Sequence, residues 1–258
     1  MIYASQNLFG VLAIDNWGLS RLIHTDTLSN GIAMKDGLIY LGDWSDILKI
    51  DPLTGKVVGR IMSSGRYDNI HTINFYGDKL LITSTGNDRI YLDDEIIFSP
   101  KDYGYKQFIY LNSAVHWHDS IIIISARLPK HVILFDVDTK KVIKTFDLSR
   151  RIHNQHHPIP FNDMFAVSDG DGILLFNEQK PVQKSPPLAW PRGIKQYDED
   201  NIIGVDRKGV FMYNVPKNAI THRYDSPIEE PNSTMHPESK VIGTALFDLV
   251  FTSGNSTI

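Results

Sequence analysis

Ile70 to Asp88, IHTINFYGDKLLITSTGND, is the stretch whose reading decides the fold. A histidine opens a short apolar run, Tyr76-Gly77-Asp78 supplies a turn, and Leu80-Leu81-Ile82-Thr83 forms a second run ending in small polar residues. Short apolar runs bounded by Gly, Asp and Asn are the pattern of antiparallel strands joined by tight turns.

The phrase recurs in both directions. Upstream, SNGIAMKDGLIYLGD and SDILKIDPLTGKVVGRI read as four strands with turns at Lys35-Asp36-Gly37 and Asp51 to Gly55. Downstream, NSAVHWHDSIIIISARLPKHVILFDVDTKKVIKTFDL repeats the plan, and its Asp136-to-Lys140 turn matches the Asp51-to-Gly55 turn in place and chemistry. QHHPIPFNDMFAVSDGDGILLFNE and RGIKQYDEDNIIGVDRKGVFMYNVPKNAITHRYD repeat it again. Aligned on their second strands, the units start at Ser29, His71, Asn112, Gln155 and Arg192, with gaps of 42, 41, 43 and 37 residues. Four strands in about forty residues is the size of one β-propeller blade.

The ends extend the pattern. MIYASQNLFGVLAIDNWGLSRLIHTDT is similar to LIYLGDWSDILKIDPLTGKVVGRI without its first strand, and NSTMHPESKVIGTALFDLVFTSGN supplies inner-strand material. The expectation is an all-β single β-propeller domain over residues 1–258. It has six blades of four antiparallel strands, closed into a ring by a blade shared between the two termini. Seven blades is the alternative, because both ends carry a candidate second strand. Helix should be nearly absent.

Composition narrows the function. A net charge of −4 carries no basic excess of the kind a nucleic-acid surface needs. With no cysteine, disulfides, thiolate metal sites and cysteine nucleophiles are all excluded. No apolar run approaches the roughly 18 residues of a membrane span, and MIYASQNLFGVLAIDN lacks the basic start of a signal peptide. These readings give an expectation of a cytoplasmic protein with neither membrane nor nucleic acid as partner. The oligomeric state is left open.

Innermost strands line a propeller's channel, and their beginnings lie at one mouth. The register therefore brings Ser29 and Asn30, His71, Asn112 and Ser113, Gln155, His156 and His157, Arg192, and Asn232 and Ser233 around one funnel. All are polar, and polar groups gathered at a concave axial site predict a small-molecule ligand in the funnel. A water-filled channel has polar walls without any function, so the prediction rests on residue type. His71, His157 and Arg192 are the candidate working groups, with Asn30, Asn112, His156 and Asn232 as substrate-binding positions. His116 and His118 flank Trp117 at a turn and read as structural or exposed, while His24, His131 and His222 fall on outer strands.

Two chemistries fit these residues. Facing imidazoles bind zinc, iron or copper, and His71, His157 and His236 would be the ligands of such a transition metal. The same imidazoles beside a guanidinium hold an anion, since arginine offers a planar fork of donors to carboxylate, phosphate or sulfate, and histidine then serves as acid, base or nucleophile. No acidic residue falls on the aligned funnel positions, which disfavours a carboxylate-built calcium site.

IHTINFYGDKLLITSTGND, QHHPIPFNDMFAVSDGDGILLF and WPRGIKQYDEDNIIGVD together resemble six-bladed propellers of the arylsulfotransferase-like kind. The resemblance spans about Ile70 to Asp206. It implies group transfer in which an axial histidine takes a sulfuryl group while other histidines and an arginine hold the sulfate. His71, His156 or His157, and Arg192 occupy the matching positions. The activity expected is therefore transferase-like on an anionic or aromatic substrate, or a metal-dependent lyase or hydrolase. A third reading is a non-catalytic binding propeller that presents the excursion Asp93 to Gln107, with Tyr103, Tyr105, Lys101 and Lys106, to a partner.

Overall fold

The computed structural model describes residues 31–149 and 155–225 in full, and the backbone of strands at 2–6, 10–15, 19–24, 29–30 and 246–251. Strands β1 (Ile2–Gln6), β2 (Gly10–Asp15) and β3 (Leu19–His24) open the chain. The first complete blade follows, with β4 (Ser29–Lys35), β5 (Leu38–Asp43), β6 (Asp46–Ile50) and β7 (Val57–Ile61). The second is β8 (Ile70–Tyr76), β9 (Lys79–Ser84), β10 (Arg89–Leu92) and β11 (Glu95–Phe98). The third is β12 (Leu111–His118), β13 (Ile121–Ala126), β14 (His131–Asp136) and β15 (Lys141–Asp147). The fourth is β16 (Gln155–Phe161), β17 (Met164–Asp169), β18 (Gly172–Phe176) and β19 (Pro181–Lys184). The fifth is β20 (Ile194–Gln196), β21 (Asn201–Asp206), β22 (Gly209–Asn214) and β23 (Ala219–Asp225).

Each blade is an antiparallel meander in sequence order. This is a single all-β propeller, and it corrects the expected count: five blades are described in full where six were expected. The remaining four-stranded sheet orders β24 (Leu246–Phe251), β1, β2 and β3, and is described in its backbone alone. Its innermost strand is described over Leu246–Phe251, and the expected opening near Asn232 lies outside the described residues. The ends depart most from the repeat phrase, which is why the spacing argument was weakest there. Among the described strands none is left over for a seventh sheet.

Burial explains the sequence pattern. The second strands read as near-continuous apolar runs because both faces pack between blades, and Leu81, Ile82, Ile122, Ile123, Ile124, Ile202 and Ile203 are fully buried. Outer strands such as β15 alternate between exposed and covered positions. The core is a series of inter-blade layers. One joins Ile123, Val132 and Leu134 to Phe165, Val167 and Phe176, and another joins Ile159, Ile173 and Leu175 to Ile194, Phe211 and Tyr213.

The turns between third and fourth strands share one device. Asp51 accepts from the Leu53 N–H (2.9 Å) and the Thr54 hydroxyl (2.7 Å), and Asp136 from the N–H groups of Asp138 and Thr139 (2.9 and 3.1 Å). These are side-chain-closed turns, so the matched Asp positions in the sequence reflect a shared local structure.

The excursion after β10 departs from expectation. Its Glu95–Phe98 segment is the outer strand of the blade, and a 3-10 turn, Pro100–Tyr103, follows. Tyr103 stacks on Phe98 at 4.8 Å, and the Tyr105 hydroxyl meets His131 Nδ1 at 2.8 Å. Both tyrosines are half-buried against the third blade, and Tyr105 gives His131 a partner. No helix is long and apolar enough to cross a membrane among the described residues.

Candidate functional site

In a meander, the start of the innermost strand and the turn between second and third strands lie at the same end. The site therefore draws from two kinds of segment. His71, Asn112, His156 and His157 come from the openings of β8, β12 and β16, and Arg192 stands just before β20. Arg127 comes from the β13–β14 turn and Arg207 from the β21–β22 turn.

Three inner strands, β8, β12 and β20, are entered through a residue with left-handed backbone. Asn69, Tyr110 and Trp190 have φ of 51°, 56° and 60°, each two residues before the funnel position it delivers. Bulky side chains seldom adopt this conformation, and such strain gathers at functional sites. Both aromatics carry cations. The Arg127 guanidinium lies 5.0 Å from the Tyr110 ring centroid, while Arg192 and Arg207 lie 4.5 and 4.0 Å from that of Trp190. His71 meets the Tyr110 ring edge-on at 6.2 Å.

Backbone-directed bonds fix the funnel residues. Asp88 accepts the N–H groups of Ile109 (2.7 Å) and Leu111 (2.9 Å), which holds Tyr110 between them. The Ser168 hydroxyl accepts from the His157 N–H at 2.9 Å and donates to the Arg192 carbonyl at 2.7 Å, tying the fourth blade to the fifth. The Asn112 amide donates to the Gln155 carbonyl at 2.9 Å, and its Nδ2 lies 3.2 Å from His156 Nδ1. Because the carbonyl fixes which end of the amide is the donor, His156 Nδ1 is the acceptor and its proton sits on Nε2.

Arg192 Nη1 lies 3.2 Å from His156 Nδ1 and 3.1 Å from Nε2. A single atom that near to both ring nitrogens sits over the imidazole face, not in its plane.

The electrostatics follow from burial beside cations. His71 is 7% exposed, and desolvation, with the charges of His157, Arg192 and Arg127, pushes its pKa down to about 3. A hydrogen bond to the Asn112 backbone opposes this weakly. His156 is fully buried and held well below the usual histidine range by desolvation and then by Arg192. Arg192 is itself brought down to about 10, by desolvation first and then by Arg127. His71 and His156 are thus neutral at pH 7 in a strongly positive surrounding. Among the described residues, His71 Nδ1, Asn112 Oδ1 and Arg127 Nε are buried without a hydrogen-bond partner.

Below this layer Lys195 reaches out of β20, and its Nζ lies 3.0 Å from Asn74 Oδ1 on β8. The innermost strands neighbour one another in the order β4, β8, β12, β16, β20. β20 and β8 are not adjacent, so this contact crosses the channel.

His71, Asn112, His156, His157 and Arg192 are accordingly brought to one site. Asn30, Asn232 and His236 fall outside the residues whose side chains are described. Among the described residues no group of three metal-ligating side chains gathers. His116 and His118 stand at the far end of β12, where the His116 ring meets the Asp119 carbonyl at 2.9 Å. Sequence reasoning missed Arg127, Tyr110, Trp190, Lys195 and Asn74. The signals were there in part: Tyr110 and Trp190 each stand two residues before a funnel residue, and Asn74 and Lys195 each three after one.

No family model matches the chain, and no curated protein does. Solved structures do. A nidogen/laminin complex is similar at 13% identity over 96% of each chain, with a TM-score of 0.71. The WD40 β-propeller domain of Doa1 is similar at 14% over 87% of this chain and 78% of that one, TM-score 0.63. A catalytically inactive virginiamycin B lyase from Staphylococcus aureus with quinupristin is similar at 15% over 79% and 71%, TM-score 0.57. At these identities the likeness shows the β-propeller fold and nothing finer.

Proposed function

We propose that the funnel binds a small organic anion, held by Arg192 and Arg127 and bordered by the neutral imidazoles of His71 and His156 and by the ring of His157. The observation that carries this reading is the convergence of guanidiniums on buried, uncharged histidines. An anion entering there is met by guanidinium forks and relieves the mutual repulsion of the cations. It also supplies an acceptor to the buried Arg127 Nε–H, whose unsatisfied state costs about 1–3 kcal/mol. A transition metal on His71 and His157 would place a dication beside the same guanidiniums, so the anion reading is preferred.

A catalytic extension follows from the same groups. With its Nδ1 buried and its ring neutral, His71 is ready to accept a proton or to attack an electrophile when an anion offsets the positive field. Histidine also matters in the virginiamycin B lyase structure, whose inactive variant replaces a histidine by alanine. Group transfer of the arylsulfotransferase-like kind is one reaction such a site would support.

The test is a thermal-shift and calorimetric titration with sulfate, phosphate and small carboxylates, on wild type and Arg192→Gln. Saturable binding that weakens at least tenfold in the variant is expected. Equal responses in both proteins would reject the reading.

A further inference from the structure

The funnel holds cations at two levels. Arg127 and Arg192 form the upper one. Lys195 forms the lower one, three residues further along the chain than Arg192, which at strand rise separates their Cα atoms by about 10 Å.

Asn74 holds the lysine in place. Its Nδ2 donates to the Ala114 carbonyl at 2.7 Å, which turns Oδ1 toward the channel, where it accepts from Lys195 Nζ. An ammonium has three donors, and among the described residues no carboxylate pairs with this one. Three lysines on the outer surface are matched by acids, Lys35 by Asp78, Lys140 by Glu95 and Lys184 by Asp171. Lys195 instead presents its charge to the channel interior, between strands of non-adjacent blades.

We infer that Lys195 is a second anion-binding group, and that the funnel takes an elongated organic dianion of the dicarboxylate class. One carboxylate sits at Arg127 and Arg192 and the other reaches Lys195. The inference rests on the anion reading above and adds the number and spacing of the ligand's charges.

Calorimetry with α,ω-dicarboxylates of three to eight carbons, each against the monocarboxylate of equal length and against sulfate, tests it. One chain length should bind at least about tenfold tighter than its monocarboxylate, the worth of a charge-assisted hydrogen bond. Lys195→Met should bring that ratio toward one, while Lys195→Arg, which keeps charge and reach, should preserve it and so separates the effect from loss of folding. Sulfate and monocarboxylates binding as well as every dicarboxylate would overturn the role of Lys195 and leave the anion site standing. An unchanged ratio in Lys195→Met would do the same. Failure of every anion, sulfate included, would remove both.

Discussion

Arg192 lies over the face of His156, with one guanidinium nitrogen within 3.2 Å of both ring nitrogens. The contact is possible because His156 is neutral, with Nδ1 turned to the Asn112 amide and the proton on Nε2. A protonated ring under that guanidinium would set two buried cations in contact. The arrangement thus links the protonation of the histidines to whatever anion neutralises the arginine.

Replacing Arg192 by Met should release the histidines. Arg192 is the largest charge acting on His156 and the second largest on His71. Both imidazoles should therefore titrate at higher pH in the variant, as followed by nitrogen-15 NMR of the ring signals. Unmoved titrations would place the cause in burial alone.

Stability should fall in acid. The unfolded chain takes up a proton at His71 below about pH 6.5, and the folded chain refuses it until about pH 3. The contribution of the neutral ring is complete above pH 6.5, shrinks as pH falls and is fully lost near pH 3. The slope is about 1.4 kcal/mol per pH unit for each such histidine. Urea unfolding between pH 7 and pH 4 should show it, and His71→Asn should flatten the curve. A wild-type curve that does not decline would contradict the burial of neutral rings.

Gly31 stands on β4 where that strand crosses close to β8. A Cβ there would lie 2.7 Å from Thr72 Cα and 2.8 Å from Ile73 N, backbone atoms that cannot swing aside. Gly31→Ala should cost about 1–3 kcal/mol and, by moving β8, should also weaken anion binding at His71. Chemical denaturation measures the first effect and titration the second. A fully stable variant would mean that the two blades do not approach this closely.

Asp88 positions Tyr110 without touching the funnel. Asp88→Ala leaves the N–H groups of Ile109 and Leu111 unsatisfied, for about 1–3 kcal/mol each, and frees the residue that carries Arg127. Anion affinity should fall while Asp88→Asn, which keeps one acceptor, retains part of it. Loss of stability with unchanged affinity would make Asp88 structural only.

Much of this was legible from spacing. The expected unit starts Ser29, His71, Asn112 and Gln155 fall at or within one residue of the observed strand openings, and Arg192 lies two before its own. Second strands buried on both faces write continuous apolar runs, and these set the register. The rest was hidden for physical reasons. Arg127 sits in a turn, where no periodicity marks a residue that points back to the axis. Lys195 and Asn74 meet across 121 positions of sequence. Tyr103 and Tyr105 look like surface aromatics until the excursion is seen docked against Phe135 and His131.

The most direct test is anomalous diffraction from crystals soaked in selenate, a tetrahedral oxyanion whose selenium is located without reference to any expected ligand. The account predicts a peak at the funnel within hydrogen-bond reach of Arg192 and Arg127, absent in Arg192→Gln crystals. Selenate found only at exposed lysines, with the funnel holding water in both proteins, would contradict it.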